Sequence, residues 1–123
     1  MRNKRILIVG TGSLLMEGVE GLLQSYLHAG VDFVSTSTRD VDVLMREIER
    51  WNPGIILMED MTPFITPAHL VTSLPHSRNI QVIALSSQAN KADVYHKSSA
   101  DLYDKSELSL SDPNRFIAAL AYG

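Results

Sequence analysis

The hydrophobic pattern alternates between two kinds of segment along the chain. Short, unbroken apolar runs recur, and between them apolar residues return at spacings of three and four. Unbroken runs are typical of strands buried on both faces of a sheet, and spaced residues are typical of one side of a helix. Strands are predicted at residues 5–9, 31–36, 55–58, 80–85 and 101–103. The order strand then helix repeats five times, which predicts a parallel sheet with helices on both faces.

Helices are predicted after each of these strands. Ser13 or Thr11 can cap the first helix by accepting a hydrogen bond from a free N–H, and Thr66 followed by Pro67 begins the third. The fourth predicted helix covers residues 90–97. The inward residues predicted for the other helices are Leu15, Val19, Leu22 and Tyr26; Val41, Leu44, Ile48 and Trp51; Leu70, Val71 and Leu74; and Phe116, Ile117 and Leu120.

Composition narrows the class of protein. A length of 123 residues fits one domain, and no apolar run is long enough to span a membrane. The absence of cysteine excludes disulfides and thiolate metal sites and is compatible with the reducing cytoplasm. A net charge of −3 gives no electrostatic footprint for nucleic acid. We therefore predict a cytoplasmic domain that does not itself bind nucleic acid or membrane.

Two acidic residues follow the most apolar of the predicted strands. Glu59 and Asp60 come directly after the run 55–58, which is bounded by Pro53-Gly54 and by Thr62-Pro63. In open parallel sheets the working crevice lies beyond the carboxyl ends of the strands. The two acids are therefore the first candidates for chemistry, although neighbouring residues on a strand point to opposite faces.

Five segments, taken in order, resemble the receiver domain of two-component response regulators, in particular receivers that precede helix-turn-helix DNA-binding domains. The segments are residues 5–9, 14–23, 53–63, 81–86 and 100–105. The resemblance covers nearly the full length. It implies a single α/β domain over residues 1–123, a flavodoxin-like (βα)5 doubly wound parallel sheet with strand order 2-1-3-4-5.

The resemblance also implies a site. Receivers accept a phosphoryl group on an aspartate at the end of the third strand, and a carboxylate pair after the first strand holds Mg²⁺. A serine or threonine after the fourth strand and a lysine after the fifth bind the phosphoryl oxygens. In this chain Glu59 stands at the phosphoacceptor position, Ser86 at the hydroxyl position and Lys105 at the lysine position, whereas Gly10 and Thr11 replace the carboxylate pair.

This replacement changes the expected chemistry. Mg²⁺ prefers carboxylate oxygens, but Gly10 offers none and Thr11 offers only a neutral hydroxyl. Phosphoryl transfer depends on positioning and on neutralisation of developing charge by the metal. We therefore predict no magnesium or other metal site, no cofactor, no enzymatic activity and no normal aspartyl phosphorylation. Instead, Glu59 and Lys105 are expected to form a fixed ion pair in the pocket, beside Asp60 and Ser86.

The leading prediction is a degenerate receiver that acts in signal transduction or transcriptional regulation by binding a protein partner or by forming a homodimer. Many receivers use the face near the fifth strand for this purpose. Their switch aromatic lies three residues before the lysine, where this chain has Leu102, and Tyr103 lies two residues before it. Leu102 and Tyr103 are therefore the predicted interaction surface.

Two alternatives remain at this point. One is a working phosphoacceptor receiver that uses Glu59 or Asp60. The other is a binder of a small anion or nucleotide at the turn Gly10-Thr11-Gly12, because free N–H groups at a helix N-terminus attract phosphate. That turn resembles a dinucleotide fingerprint, but Leu15 stands where its third glycine is required.

Overall fold

The computed structural model describes residues 4–10, 12–25, 30–75, 79–86, 88–98 and 102–122. Within these residues the chain forms six strands and four helices. In chain order they are β1 (Lys4–Val9), α1 (Leu14–Gln24), β2 (Val31–Thr36), α2 (Val41–Trp51), β3 (Ile55–Glu59), α3 (Pro67–Ser73), β4 (Gln81–Ser86), β5 (Lys91–Lys97), β6 (Tyr103–Ser109) and α4 (Pro113–Tyr122).

The strands form one mixed sheet in the order β2-β1-β3-β4-β5-β6. The first four strands in this order form three parallel pairs, whereas β4–β5 and β5–β6 are antiparallel. In the centre of the sheet Ile56 lies in register with Leu7 on one side and with Val82 on the other. The central strands β1, β3 and β4 are therefore built from the continuous apolar runs.

Each central strand contributes to two hydrophobic cores, one on each face of the sheet. Ile6 and Ile8 pack with α1 and α4, whereas Leu7 and Val9 pack with α2 and α3. Burying one such side chain stabilises a fold by roughly 1.5–3 kcal/mol, so alternate residues of one strand hold both helical layers in place. We call these faces the α1/α4 side and the α2/α3 side.

The helix starts follow from capping side chains. Ser13 accepts a hydrogen bond from the Met16 N–H, and Asp40 accepts two from the first turn of α2. Thr66 accepts from the His69 N–H, with Pro67 at the first helical position as predicted. Of the two candidate caps for α1, Ser13 is the one seen in this role.

The buried face of α1 is rotated by about one residue from the prediction. Its fully buried residues are Met16, Val19 and Leu23, while the predicted Leu15 and Leu22 are partly buried beside them. The predicted Tyr26 lies outside the described residues. The inward residues predicted for α3 and α4 are confirmed.

The predicted flavodoxin-like (βα)5 sheet of five parallel strands is wrong. Residues 90–97, predicted as a helix, contain strand β5, which runs antiparallel to β4. The short strand predicted at residues 101–103 is instead the beginning of β6, which continues to Ser109; Asp101 lies outside the described residues. A hairpin of two antiparallel strands thus replaces the last strand–helix–strand crossover.

None of the described helices is both long enough and apolar enough to cross a membrane.

Candidate functional site

Glu59 lies at the end of β3 and is held by the beginning of α1. The Ser13 hydroxyl donates a hydrogen bond to the Glu59 carboxylate while its oxygen accepts one from the Met16 N–H at 3.1 Å. The Glu59 residue is partly buried. One serine therefore caps the helix and fixes the acid, so the two elements share a polar contact at the carboxyl edge of the sheet.

The backbone around Glu59 is tied down as well. Thr62, which is buried, donates from its hydroxyl and from its N–H to the Glu59 carbonyl, at 2.7 and 3.2 Å. The Asp60 N–H donates to the Leu85 carbonyl at 3.0 Å, which anchors the turn to β4. The Asp60 residue is exposed. Hydrogen bonds thus anchor the turn after β3, and within it Glu59 is partly buried whereas Asp60 is exposed.

The turn after β1 places backbone groups beside the candidate site at the carboxyl edge of the sheet. The Gly10 N–H donates to the Thr36 carbonyl at 2.8 Å, which closes the end of β1 on β2. Gly12 has φ +79°, a left-handed conformation that favours glycine. Thr11, predicted to lie in the pocket, is outside the described residues.

Ser86 lies at the end of β4, as predicted, and is buried. Its hydroxyl oxygen accepts a hydrogen bond from the Ala89 N–H at 3.1 Å, so it orients the turn that leads into β5. Ser86 also lines a cavity of about 210 Å³ between α1 and α4, whose wall includes Val19 and Phe116. The neighbourhood of this hydroxyl is mainly apolar.

The structure does not bring Lys105 to Glu59, and the predicted ion pair between them is wrong. Lys105 lies on β6, which is three strands from β3, or about 14 Å at ordinary strand spacing. The sheet row that contains Glu59 continues through Leu85 and Ala92 to Leu108, three residues beyond Lys105. The extra antiparallel strand places Lys105 away from the end of β3, where Glu59 lies.

Lys105 instead belongs to a charged cluster on the α2/α3 side of β5 and β6. Its ammonium lies 3.6 Å from one Asp93 oxygen and 5.9 Å from the centre of the Tyr95 ring. The Lys91 ammonium lies 3.7 Å from Asp93 and 2.9 Å from Glu107. The hydrogen bond from Lys91 to Glu107, with the nearby Asp93 charge, raises the pKa of Lys91. Sequence reasoning missed this cluster because it placed Lys91 and Asp93 on a helix.

The predicted interaction residues lie beside this cluster. Leu102 is 65% exposed, and the Tyr103 ring packs against the Tyr95 ring at 5.4 Å between centroids. Two further apolar residues are exposed at the carboxyl edge: Leu14, the first residue of α1, at 87% and Met61, in the turn after β3, at 77%. Apolar surface is therefore available at both places.

A receiver-type metal site requires clustered acids. Among the residues that the structure describes, no three histidine, aspartate or glutamate side chains come together as a metal site. The described contacts of Glu59 include a neutral hydroxyl from Ser13.

A comparison of the chain with models of known protein families, with curated protein sequences and with solved structures finds no match. The resemblance to receiver domains therefore depends on the residues of this chain alone.

Proposed function

We propose that the chain is a cytoplasmic protein-interaction module of signal transduction, a receiver-like domain that acts without magnesium-dependent phosphorylation of a carboxylate. The observation that carries this proposal is the separation of Lys105 from Glu59 by two intervening strands. Phosphoryl transfer relies on prearranged charge around the phosphoacceptor. A lysine on the far side of β5 cannot supply that charge at Glu59.

The other two positions of the site support the same proposal. The Glu59 carboxylate already receives a hydrogen bond from Ser13, which also caps α1. The Ser86 hydroxyl orients the turn into β5 through the Ala89 N–H. Each side chain therefore has a structural task in the state described. The bond between Ser13 and Glu59 joins α1 to β3 without a covalent modification of either residue.

The test is phosphorylation with acetyl phosphate and Mg²⁺, read by intact mass. We expect the mass of the full chain to remain unchanged. A gain of one phosphoryl group that Glu59→Gln abolishes and Asp60→Asn retains would overturn the proposal and support a working phosphoacceptor. Loss of the gain in Asp60→Asn alone would assign the same activity to Asp60.

A ligand-binding role at the turn after β1 is tested separately by thermal unfolding with inorganic phosphate and with a nucleotide. We expect the midpoint temperature to be independent of either compound. A binding ligand would raise the midpoint as its concentration increases, because it stabilises the folded state alone. Such a rise would replace the interaction proposal with a small-ligand one.

A further inference from the structure

The last strand in the sheet order, β6, pairs with no second strand on its outer edge within the described part of the chain. The order ends at β6, and all seven of its residues, Tyr103–Ser109, are exposed. An edge strand presents unpaired N–H and C=O groups that can pair with another chain. Whether β6 can do so depends on which of its residues direct these groups outward.

Two hydrogen bonds beyond the ends of the β5–β6 ladder answer this question. The Ser98 N–H donates to the Leu102 carbonyl, and the Leu110 N–H donates to the Asn90 carbonyl, each at 3.0 Å. In an antiparallel ladder, residue pairs alternate between hydrogen-bonded and non-hydrogen-bonded. Continued through the register of β5 and β6, this alternation turns the even-numbered residues of β6 towards β5. The outward groups therefore belong to the odd-numbered residues, Tyr103, Lys105, Glu107 and Ser109.

Two acids face each other at this edge, although the two lysines and two acids of the cluster balance in charge within one chain. Asp93 and Glu107 lie directly opposite each other on β5 and β6, an arrangement of like charges that destabilises a sheet. Lys91 contacts both acids, yet Asp93 Oδ1 is buried and has no hydrogen-bond partner among the described residues. A cation placed opposite Glu107 on its outer side would offset the repulsion between Glu107 and Asp93 further.

We propose that a second copy of this chain supplies that cation by pairing its own β6 antiparallel to this one. The two-fold axis passes beside Ser106. Lys105 of each copy then lies opposite Glu107 of the other, as a pair whose backbone groups are both directed outward. The two sheets become one continuous sheet, and charges alternate across the junction from Lys91 to Glu107, then to Lys105 and Asp93 of the second copy.

Other registers bring like charges together. An axis beside Lys105 places two lysines opposite each other, and an axis beside Glu107 places two glutamates opposite each other. An axis beside Asp104 pairs two aspartates. Like charges directly opposite are destabilising, whereas opposite charges contribute roughly 0.2–1 kcal/mol per pair. Of the four registers compared, the one with its axis beside Ser106 is the one that places opposite charges across from each other.

The same register covers apolar surface. Continued beyond the strand ends, it brings the exposed Leu102 opposite Leu110 of the second copy, on the α1/α4 side. Leu110 is partly buried against the α1/α4 core, so its contact with Leu102 would extend that core across the junction. Pairing through β6 specifies the surface and the partner of the interaction role proposed above. It rests on that proposed function only for the view that the dimer acts in signal transduction.

The test measures the molecular mass of the full chain in solution by sedimentation over a range of concentrations. We expect a concentration-dependent dimer. Lys105→Glu and Glu107→Lys each create two like-charged pairs across the junction, so each variant alone should dimerise at least about tenfold more weakly, which corresponds to about 1.4 kcal/mol. An equimolar mixture of the two variants should form a heterodimer with affinity near wild type, because both pairs are then opposite in charge.

Circular dichroism on each variant checks that the fold is intact. A wild-type chain that stays monomeric at every concentration overturns the proposal and makes the charges on β6 a device against edge pairing. Variants that dimerise as tightly as wild type, or a mixture that fails to form heterodimer, also overturn it. Because the readout is assembly, failure here is separate from any outcome of the phosphorylation test.

Discussion

The hydroxyl of Ser13 donates a hydrogen bond to the carboxylate of Glu59 across 46 positions of sequence. This bond joins the start of a helix to the end of the central strand, at the edge where open α/β sheets carry their sites. It also uses the serine twice, since the same oxygen caps α1. A change at Ser13 should therefore affect stability more than loss of an ordinary cap.

Ser13→Ala removes both interactions and should lower the free energy of unfolding by about 2 kcal/mol, since a cap contributes about 1 kcal/mol and a bond to a charged group somewhat more. Urea denaturation measures the loss. The matched control is Thr66→Ala, which removes a hydroxyl cap from α3 that has no such bond to Glu59. Equal losses in the two variants would contradict a stabilising role for the contact with Glu59.

Ser13→Asp keeps a good capping side chain but brings a second carboxylate to Glu59. Because two adjacent carboxylates repel when both are ionised, stability relative to wild type should fall as pH rises above about 4. Adding Glu59→Gln should remove this pH dependence. Denaturation of the single and double variants at several pH values checks it, and a pH-independent difference would place the substituted side chain away from Glu59.

Lys97 connects β5 to the end of α3. Its ammonium donates to the Thr72 carbonyl at 3.0 Å and to the Leu74 carbonyl, in a partly buried position. Lys97→Met should destabilise the protein by about 2 kcal/mol, because hydrogen bonds from charged groups are among the stronger ones. Lys91→Met, which removes the ion pairs of a more exposed lysine with Asp93 and Glu107, should cost less. Amide exchange should show faster opening of α3 in Lys97→Met than in Lys91→Met.

Tyr95 should report on the charged cluster. Burial raises the pKa of its phenol, while the Lys105 charge acts in the opposite direction. Lys105→Met should therefore raise the pKa of Tyr95 further. The titration of Tyr95 is obtained from tyrosinate absorbance by subtracting the curve of the same protein carrying Tyr95→Phe. An unchanged or lower pKa of Tyr95 would contradict the contact between Lys105 and the ring.

The same pKa shift gives a sign to the alkaline stability. A phenol whose pKa is raised in the folded state stabilises the fold below the usual value of 10.0, and this contribution is lost as pH rises through the raised value. Tyr95→Phe should therefore lose less stability than wild type between about pH 10 and 12. Urea denaturation across that interval measures the difference, and identical slopes would contradict it.

The three central strands β1, β3 and β4 were predictable because they are buried on both faces. The continuous run Ile55-Ile56-Leu57-Met58 leaves no helical spacing, and Thr66 followed by Pro67 marks the start of α3 directly. The position of Glu59 at the end of β3 followed from the same run. Its partner Ser13 was predicted only as a cap, since a contact across 46 positions depends on how α1 meets β3.

The antiparallel half carried a misleading pattern. On β5, Ala92 and Tyr95 are buried three residues apart, a helical spacing, but they lie on opposite faces of the sheet. On β6 every residue is exposed, so no hydrophobic alternation marks it as a strand. The one indication was the alternating charges of Lys105 and Glu107. They can be interpreted only once their ion-pair partners Asp93 and Lys91 are known to lie on the neighbouring strand β5. The error in the ion pair of Glu59 followed from this one missing strand.

The two reversals at β5 and β6 cancel each other in direction. After them the chain again runs as β4 does, so it leaves β6 at the same edge and α4 packs beside α1. A hairpin at this place therefore leaves the direction of the chain and the position of the following helix α4 unchanged. Such a domain could gain or lose a strand pair at its rim and keep its terminal helix, which allows the rim to evolve independently of the scaffold.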